Sequence, residues 1–194
     1  MAVAGAARWA LVLCVVLLLA PTPAKTADAR VLWSSLAKGG HVALMRHALA
    51  PGVGDPEGFQ LDACETQRNL NGEGRDQARQ IGEAFRRNGV AVDKVLSSEW
   101  CRCVETAELM KLTAVEKLPA LNSFFESREN EPAQTRTVRA MLEQLDPNGA
   151  SVVMVTHQVN ITALTGEYAQ SGEIVVLKLG GSDGFTVAGR IPAR

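Results

Sequence analysis

Hydrophobic positions along this chain fall into helical and strand rhythms once a first, uninterrupted apolar stretch from Trp9 to Ala20 is set aside. The segment ARVLWSSLAK carries its apolar residues at helical spacing and stops at Gly39-Gly40, and His41 to Arg46 follows as a strand. From Ala48 to Thr66 neither period holds. Pro51, Gly52, Gly54, Pro56 and Gly58 make this a long loop, of a length that usually serves function or is disordered. A helix returns from about Asn71 to Asn88, with Ala78, Ile81, Ala84 and Phe85 on one face and Gly89 as its stop. VDKVLSSEW then predicts a strand ending in two serines, CRCVETAELMKL a helix and AVEKLPALN another strand. ESRENEPAQ is a polar loop, and TRTVRAMLEQL a helix closed by Asp146-Pro147-Asn148-Gly149. SVVMVT is dominated by β-branched residues, as a central parallel strand covered on both faces requires. QVNITALTG predicts a short helix, and GEIVVLKLG with FTVAGRI an edge hairpin. Strands alternating with helices predict an α/β fold, a three-layer sandwich in which a mostly parallel central sheet is flanked by helices.

The first stretch differs in kind. Arg8, the apolar run, and then small residues and prolines have the order and proportion of a secretory signal peptide over residues 1–24, with cleavage between Ala24 and Ala29. The run is shorter than the roughly 20 residues of a membrane span. The expectation is therefore an exported protein, periplasmic or secreted, with no stable membrane span after cleavage; a retained anchor is the alternative. Residues 30–194 are of a size for one domain. Losing residues 1–24 removes Arg8 and no acid, so the formal charge changes from 20 − 21 to 19 − 21, which is −2. That balance argues against nucleic acid as a partner.

Cys64, Cys101 and Cys103 remain after cleavage. In an oxidising compartment an odd count means one bridge and one buried thiol. Cys101 and Cys103 are too close for an easy mutual bridge, so Cys64 pairs with one of them. A metal site built on the C-x-C spacing lacks a matching second pair.

In such sheets ligands bind beyond the carboxyl ends of the strands. The first strand ends in Arg46-His47, the second in Ser97-Ser98 with Arg102 in the following helical turn, and SVVMVT in His157; His41 stands at the opposite end of the first strand. Each residue alone reads as a surface charge or a polar cap. Together, two guanidiniums and two imidazoles at one sheet edge make a positive pocket for a tetrahedral anion, reinforced by any helix N-terminus that faces it. Arginine's planar fork donates two hydrogen bonds at once to phosphate, and a neutral imidazole is a nucleophile that can take up a phosphoryl group.

These segments resemble the histidine phosphatase superfamily, which includes phosphoglycerate mutases and acid phosphatases. LMRHA matches its Arg-His-Gly/Ala signature, SSEWCRCVETA its Ser-Ser-x-x-x-Arg-x-x-x-Thr-Ala segment, and VMVTHQ the strand that brings its second histidine. RNLNGEGRDQA resembles the segment that opens the family's first long helix. The resemblance implies a phosphoglycerate mutase-like fold and a phosphomonoesterase acting through a phosphohistidine, with no metal and no organic cofactor. His47 would be the nucleophile, and Arg46, Arg102 and His157 would hold the phosphoryl oxygens. Ser98, Gln158 and Arg68 are further candidates for substrate binding, as are Asp62 and Gln67 on the loop after His47.

The proton donor departs from the pattern. The glutamate that small-cap members carry after the third strand is Ser123 here, and the aspartate that the other branch places after the second histidine is Gln158. Glu126 is the nearest substitute, ahead of Glu129 and Glu131. The partner is a small phosphorylated substrate, an envelope sugar phosphate or another small ester. A catalytically impaired phosphate-ester-binding module of the same fold is the alternative.

Overall fold

Alternation of side chains along the inner strands divides the core into two layers. In β1 (His41–Arg46), Ala43 and Met45 face one layer and Val42 and Leu44 the other. Val153 and Val155 of β4 (Ser151–Thr156) join the first, and Val152 and Met154 the second. A strand that is apolar on both faces must be covered on both. The computed structural model describes Met1 and residues 28–181 and 183–193; Met1 apart, the expected signal peptide lies outside the described residues. No helix among them is long and apolar enough to cross a membrane.

The other strands are β2 (Val92–Ser97), β3 (Val115–Lys117), β5 (Ile174–Leu179) and β6 (Phe185–Ile191), and the sheet order is β3-β2-β4-β1-β5-β6. The four strands from β3 to β1 run parallel, while β5 and β6 are antiparallel additions. Leu32 and Leu36 of α1 (Ala29–Lys38), Ile81 and Phe85 of α2 (Gly72–Arg87), and Cys103, Ala107 and Met110 of α3 (Cys101–Met110) fill the first layer. Val138 and Leu142 of α4 (Glu131–Gln144) with Ile161 and Leu164 of α5 (Gln158–Thr165) fill the second. The expected α/β sandwich with a mostly parallel sheet is present.

Three expected elements change. AVEKLPALN yields only the three residues of β3, because Pro119, which has no N–H, starts a 3-10 turn over Pro119–Leu121. The polar loop shortens because α4 begins at Glu131 with Pro132 in its first turn, where proline's fixed φ suits a helix start. Of the expected edge hairpin, only β6 is an edge; β5 pairs with β1 and lies inside the sheet.

Candidate active site

The adjacent strands β2, β4 and β1 end side by side, and backbone hydrogen bonds carry the sheet one residue further. His47 N–H donates to the Thr156 carbonyl at 3.0 Å and Ser98 N–H to the Val155 carbonyl at 2.9 Å. Neighbouring strands lie about 4.8 Å apart. Residues that follow three adjacent strands are therefore brought together, and the His47 and His157 rings stand 5.5 Å apart. A cavity of about 260 Å³ opens at this edge, lined at its base by Arg46, His47, Arg68, Arg102 and His157.

His47 is 1% exposed, and its Nδ1 lies 2.7 Å from the Ala48 carbonyl. A carbonyl only accepts, so Nδ1 carries the proton and Nε2 keeps its lone pair. Burial first, then the Arg102 charge, holds its pKa well below 6.5, so the ring is neutral at neutral pH. The segment after it is fastened by Ala48 N–H donating to Thr106 Oγ1 and Leu49 N–H donating to Gln77 Oε1, each at 3.0 Å. Gly74 in the first turn of α2 makes room for it: a Cβ there would stand 2.0 Å from the Leu49 carbonyl oxygen.

His157 Nε2 lies 2.9 Å from Ser98 Oγ, whose hydroxyl also stands 3.2 Å from the acceptor Asn122 Oδ1. A hydroxyl that donates to Asn122 accepts from the imidazole, which leaves Nδ1 of His157 as the acceptor facing Arg102 Nη2 at 3.5 Å. Burial, Arg102 and then His47 hold this pKa well below 6.5 as well. Cys103 packs beside His157 as a buried thiol, pushed up to about 12 by burial and so inert as a thiolate.

Arg102 is gripped by a residue that the sequence pattern did not single out. Asp55, on the loop after β1, accepts from Nη1 at 2.7 Å and from Nη2 at 3.1 Å, with side-chain exposures of 3% for Arg102 and 6% for Asp55. Trp100 Nε1 at 3.0 Å and Arg68 N–H at 3.1 Å complete four donors to this carboxylate. Burial alone would raise the Asp55 pKa, but the hydrogen bonds and charge of Arg102, helped by Arg68 N–H and Trp100, hold it below 3.8. Arg68 is turned inward by donating to the Ala50 and Gly54 carbonyls; burial and then the Arg102 charge lower its pKa to about 10, so it stays cationic at neutral pH. Three guanidiniums less one carboxylate leave two positive charges at the base of the cavity, and the Nε atoms of Arg46 and Arg102 are buried without a hydrogen-bond partner. Three guanidinium side chains on one cavity wall favour an anion there.

The remaining candidates divide. Glu126 lines the mouth of the cavity, and its Oε1 accepts from Asp55 N–H at 3.4 Å. Glu129 and Glu131 do not line it. Gln158 and Val159, at the N-terminus of α5, line the wall, so a helix N-terminus does face the site, although the Gln158 amide donates to Thr162 Oγ1. Ser98 is a correction: it is fully buried behind His157 and holds that ring rather than lining the cavity. Asp62 lines a separate depression beside the cysteines. Gln67 is a buried brace, accepting from Cys101 N–H and donating to the Gln60 and Leu61 carbonyls. Cys64 is bonded to Cys101, which staples the loop to the start of the helix that carries Arg102, and Cys103 is free. No group of three or more His, Cys, Asp or Glu side chains among the described residues is placed to hold a metal ion.

Fold and site together define a class: an α/β domain whose sheet edge holds a neutral, free-ended imidazole among guanidiniums, a site whose charge suits an anion. Residues 42–130 match the model of the histidine phosphatase superfamily (branch 1). The matched stretch holds Arg46, His47 and Arg102; His157 lies beyond it and is brought in by β4. No curated protein sequence matches the chain. Among solved structures, the protein histidine phosphatase SixA complexed with tungstate superposes with a TM-score of 0.59 at 21% identity, over 78% of this chain and 96% of that one. Rv3214 from Mycobacterium tuberculosis gives 0.61 at 16%, over 79% and 97%. The mycobacterial glucosyl-3-phosphoglycerate phosphatase Rv2419c, in complex with VO3, gives 0.57 at 16%, over 80% and 100%. At these identities the likeness is one of fold.

Proposed function

We propose that this protein is an exported phosphomonoesterase that works through a phosphohistidine intermediate on a small phosphate ester. The observation that carries this is a neutral His47, its Nε2 free, lining one cavity with the guanidiniums of Arg46, Arg68 and Arg102. A phosphoryl dianion balances the two positive charges of the base. The Nε2 lone pair attacks phosphorus, the ester P–O bond breaks, and Glu126, the carboxyl at the mouth, gives its proton to the departing alkoxide. Water then attacks the phosphohistidine, its proton passes to Glu126, and inorganic phosphate leaves with the His47 lone pair restored. His157, with Arg46 and Arg102, steadies the charge on the phosphoryl oxygens. The set is drawn from this chain's own side chains and names no metal or cofactor.

Export is supported by the signal-like order of residues 1–24 and by the Cys64–Cys101 bond, which suits an oxidising compartment such as the periplasm. Cleavage after Ala24 is favoured over cleavage after Ala29, because Asp28 caps α1 by accepting from Arg30 N–H at 2.9 Å. The test is to trap acid-labile phosphate on the protein during turnover of an aryl phosphate. Labelling of His47, with loss of at least about a thousandfold in activity in His47→Ala, is the expected result. Phosphate binding without turnover in the parent protein would assign the impaired binding module instead.

A further inference from the structure

We infer that the cavity takes a phosphomonoester whose leaving group is apolar, aromatic or alkyl, and carries no second anionic group; this rests on the phosphatase reading above. The large hydrophobic side chains left exposed among the described residues are few, and three of them crowd this one opening: Val53 at 86%, Phe125 at 46% and Tyr168 at 57%. They come from three separate loops, after β1, after β3 and after α5, so no single sequence segment explains their meeting. Phe59, Trp100 and Val159 continue the apolar lining toward the base. Exposed apolar side chains gathered around a cavity mark a ligand surface, while isolated ones need no explanation.

Three polar side chains of the mouth are already engaged within the protein. Ser123 Oγ accepts from Phe125 N–H, the Gln158 amide donates to Thr162, and Glu126 accepts from Asp55 N–H. A polyhydroxylated leaving group would be stripped of water against the exposed apolar faces of Val53 and Phe125, whereas an apolar one gains from the same contact. Charge points the same way. The cavity-lining cations, Arg46, Arg68 and Arg102, all stand at the base, and among the described residues no cation lines the mouth. Arg128 stacks on the Phe125 ring, 5.6 Å from its centroid, and does not line the cavity. A second phosphate or a carboxylate on the leaving group would find no counter-charge at the mouth. The envelope sugar phosphate expected from the family resemblance is thus the poorer match to this mouth.

Unactivated alkyl esters test the inference, because their similar leaving groups equalise the chemistry. The parent protein is expected to give a kcat/KM for 2-phenylethyl phosphate at least about tenfold above that for glycerol 3-phosphate or glucose 6-phosphate. Phe125→Ala and Tyr168→Ala, both at exposed positions, are each expected to reduce that ratio about tenfold. Equal or reversed preference in the parent, or ratios unmoved in both variants, overturns the inference and leaves the phosphatase reading standing. If no ester is hydrolysed, the phosphatase reading fails, and Kd values for the same esters by calorimetry decide the pocket's preference directly: tighter binding of the phenylethyl ester upholds it, equal binding removes it.

Discussion

Asp55 and Arg102 face each other side-on, two oxygens to two nitrogens at 2.7 and 3.1 Å, both side chains buried. This grip fixes the guanidinium proposed to hold the phosphoryl group, and it ties the mouth loop to α3. Removing one member of a buried pair costs about 3–5 kcal/mol, because the other is left as an uncompensated charge. Asp55→Asn is therefore expected to lower the unfolding free energy by about 3 kcal/mol in urea titration. Phosphate or vanadate restores a counter-charge, so the thermal shift on adding it should be larger in Asp55→Asn than in the parent. A variant of parental stability would show that the pair is solvated.

Two buried neutral histidines make stability depend on pH in a fixed direction. In the unfolded chain both titrate near 6.5, whereas burial and Arg102 hold them well below that in the fold. Below pH 6.5 the unfolded state binds more protons, so stability is fully present above that pH and falls as the solution is acidified. The expected slope between pH 6.5 and 5 is about 1.4 kcal/mol per pH unit for each histidine. Asp55, depressed in the fold, adds its loss only below about pH 4. Urea unfolding of the parent and His47→Gln at pH 7 and pH 5 checks this, the variant losing roughly half the slope. For the same reason His47, the proposed nucleophile, needs no deprotonation at neutral pH.

The Cys64–Cys101 bond closes a span of 37 residues that contains the whole of α2. Chain entropy for such a loop gives about 3–4 kcal/mol of stability. Cys64→Ser/Cys101→Ser is expected to unfold at correspondingly lower denaturant and to bind phosphate more weakly, because Gln67 and Cys101 brace the turn before Arg102. Cys103→Ser leaves the bond intact and serves as the control for thiol loss. Non-reducing peptide mapping that found Cys103 in a disulfide would contradict the pairing.

What could be read ahead of the structure followed from local rhythm. Arg46, His47, Arg102 and His157 stand where an apolar period breaks, and an α/β sheet puts such breaks on one edge. Asp55 sits in a stretch without a period, and its partner lies 47 residues away, so only the folded loop brings them together. Val53, Phe125 and Tyr168 are single apolar residues in three loops, and nothing local distinguishes them from ordinary exposed ones. Ser98 was placed at the right strand end, but its orientation behind His157 depends on Asn122, which comes from the segment after β3. The interior position of β5 likewise depends on pairing across the sheet with β1. Contacts between distant segments are the part that sequence pattern does not encode.

Glu126 is the carboxyl proposed to protonate the leaving group, and leaving-group chemistry can isolate it. General acids contribute about 10²–10⁴-fold where the departing oxygen is a poor leaving group, and little where it leaves unaided. Glu126→Gln keeps the size of the side chain and an oxygen that can accept from Asp55 N–H. It is expected to slow hydrolysis of an alkyl phosphate by about a hundredfold or more and of 4-nitrophenyl phosphate by less than about fivefold. Single-turnover measurements should place the alkyl defect in phosphohistidine formation. Equal losses on both esters would make Glu126 a brace for the Asp55 loop. No loss on either would move the proton to solvent, consistent with the exposed position of this side chain at the cavity mouth.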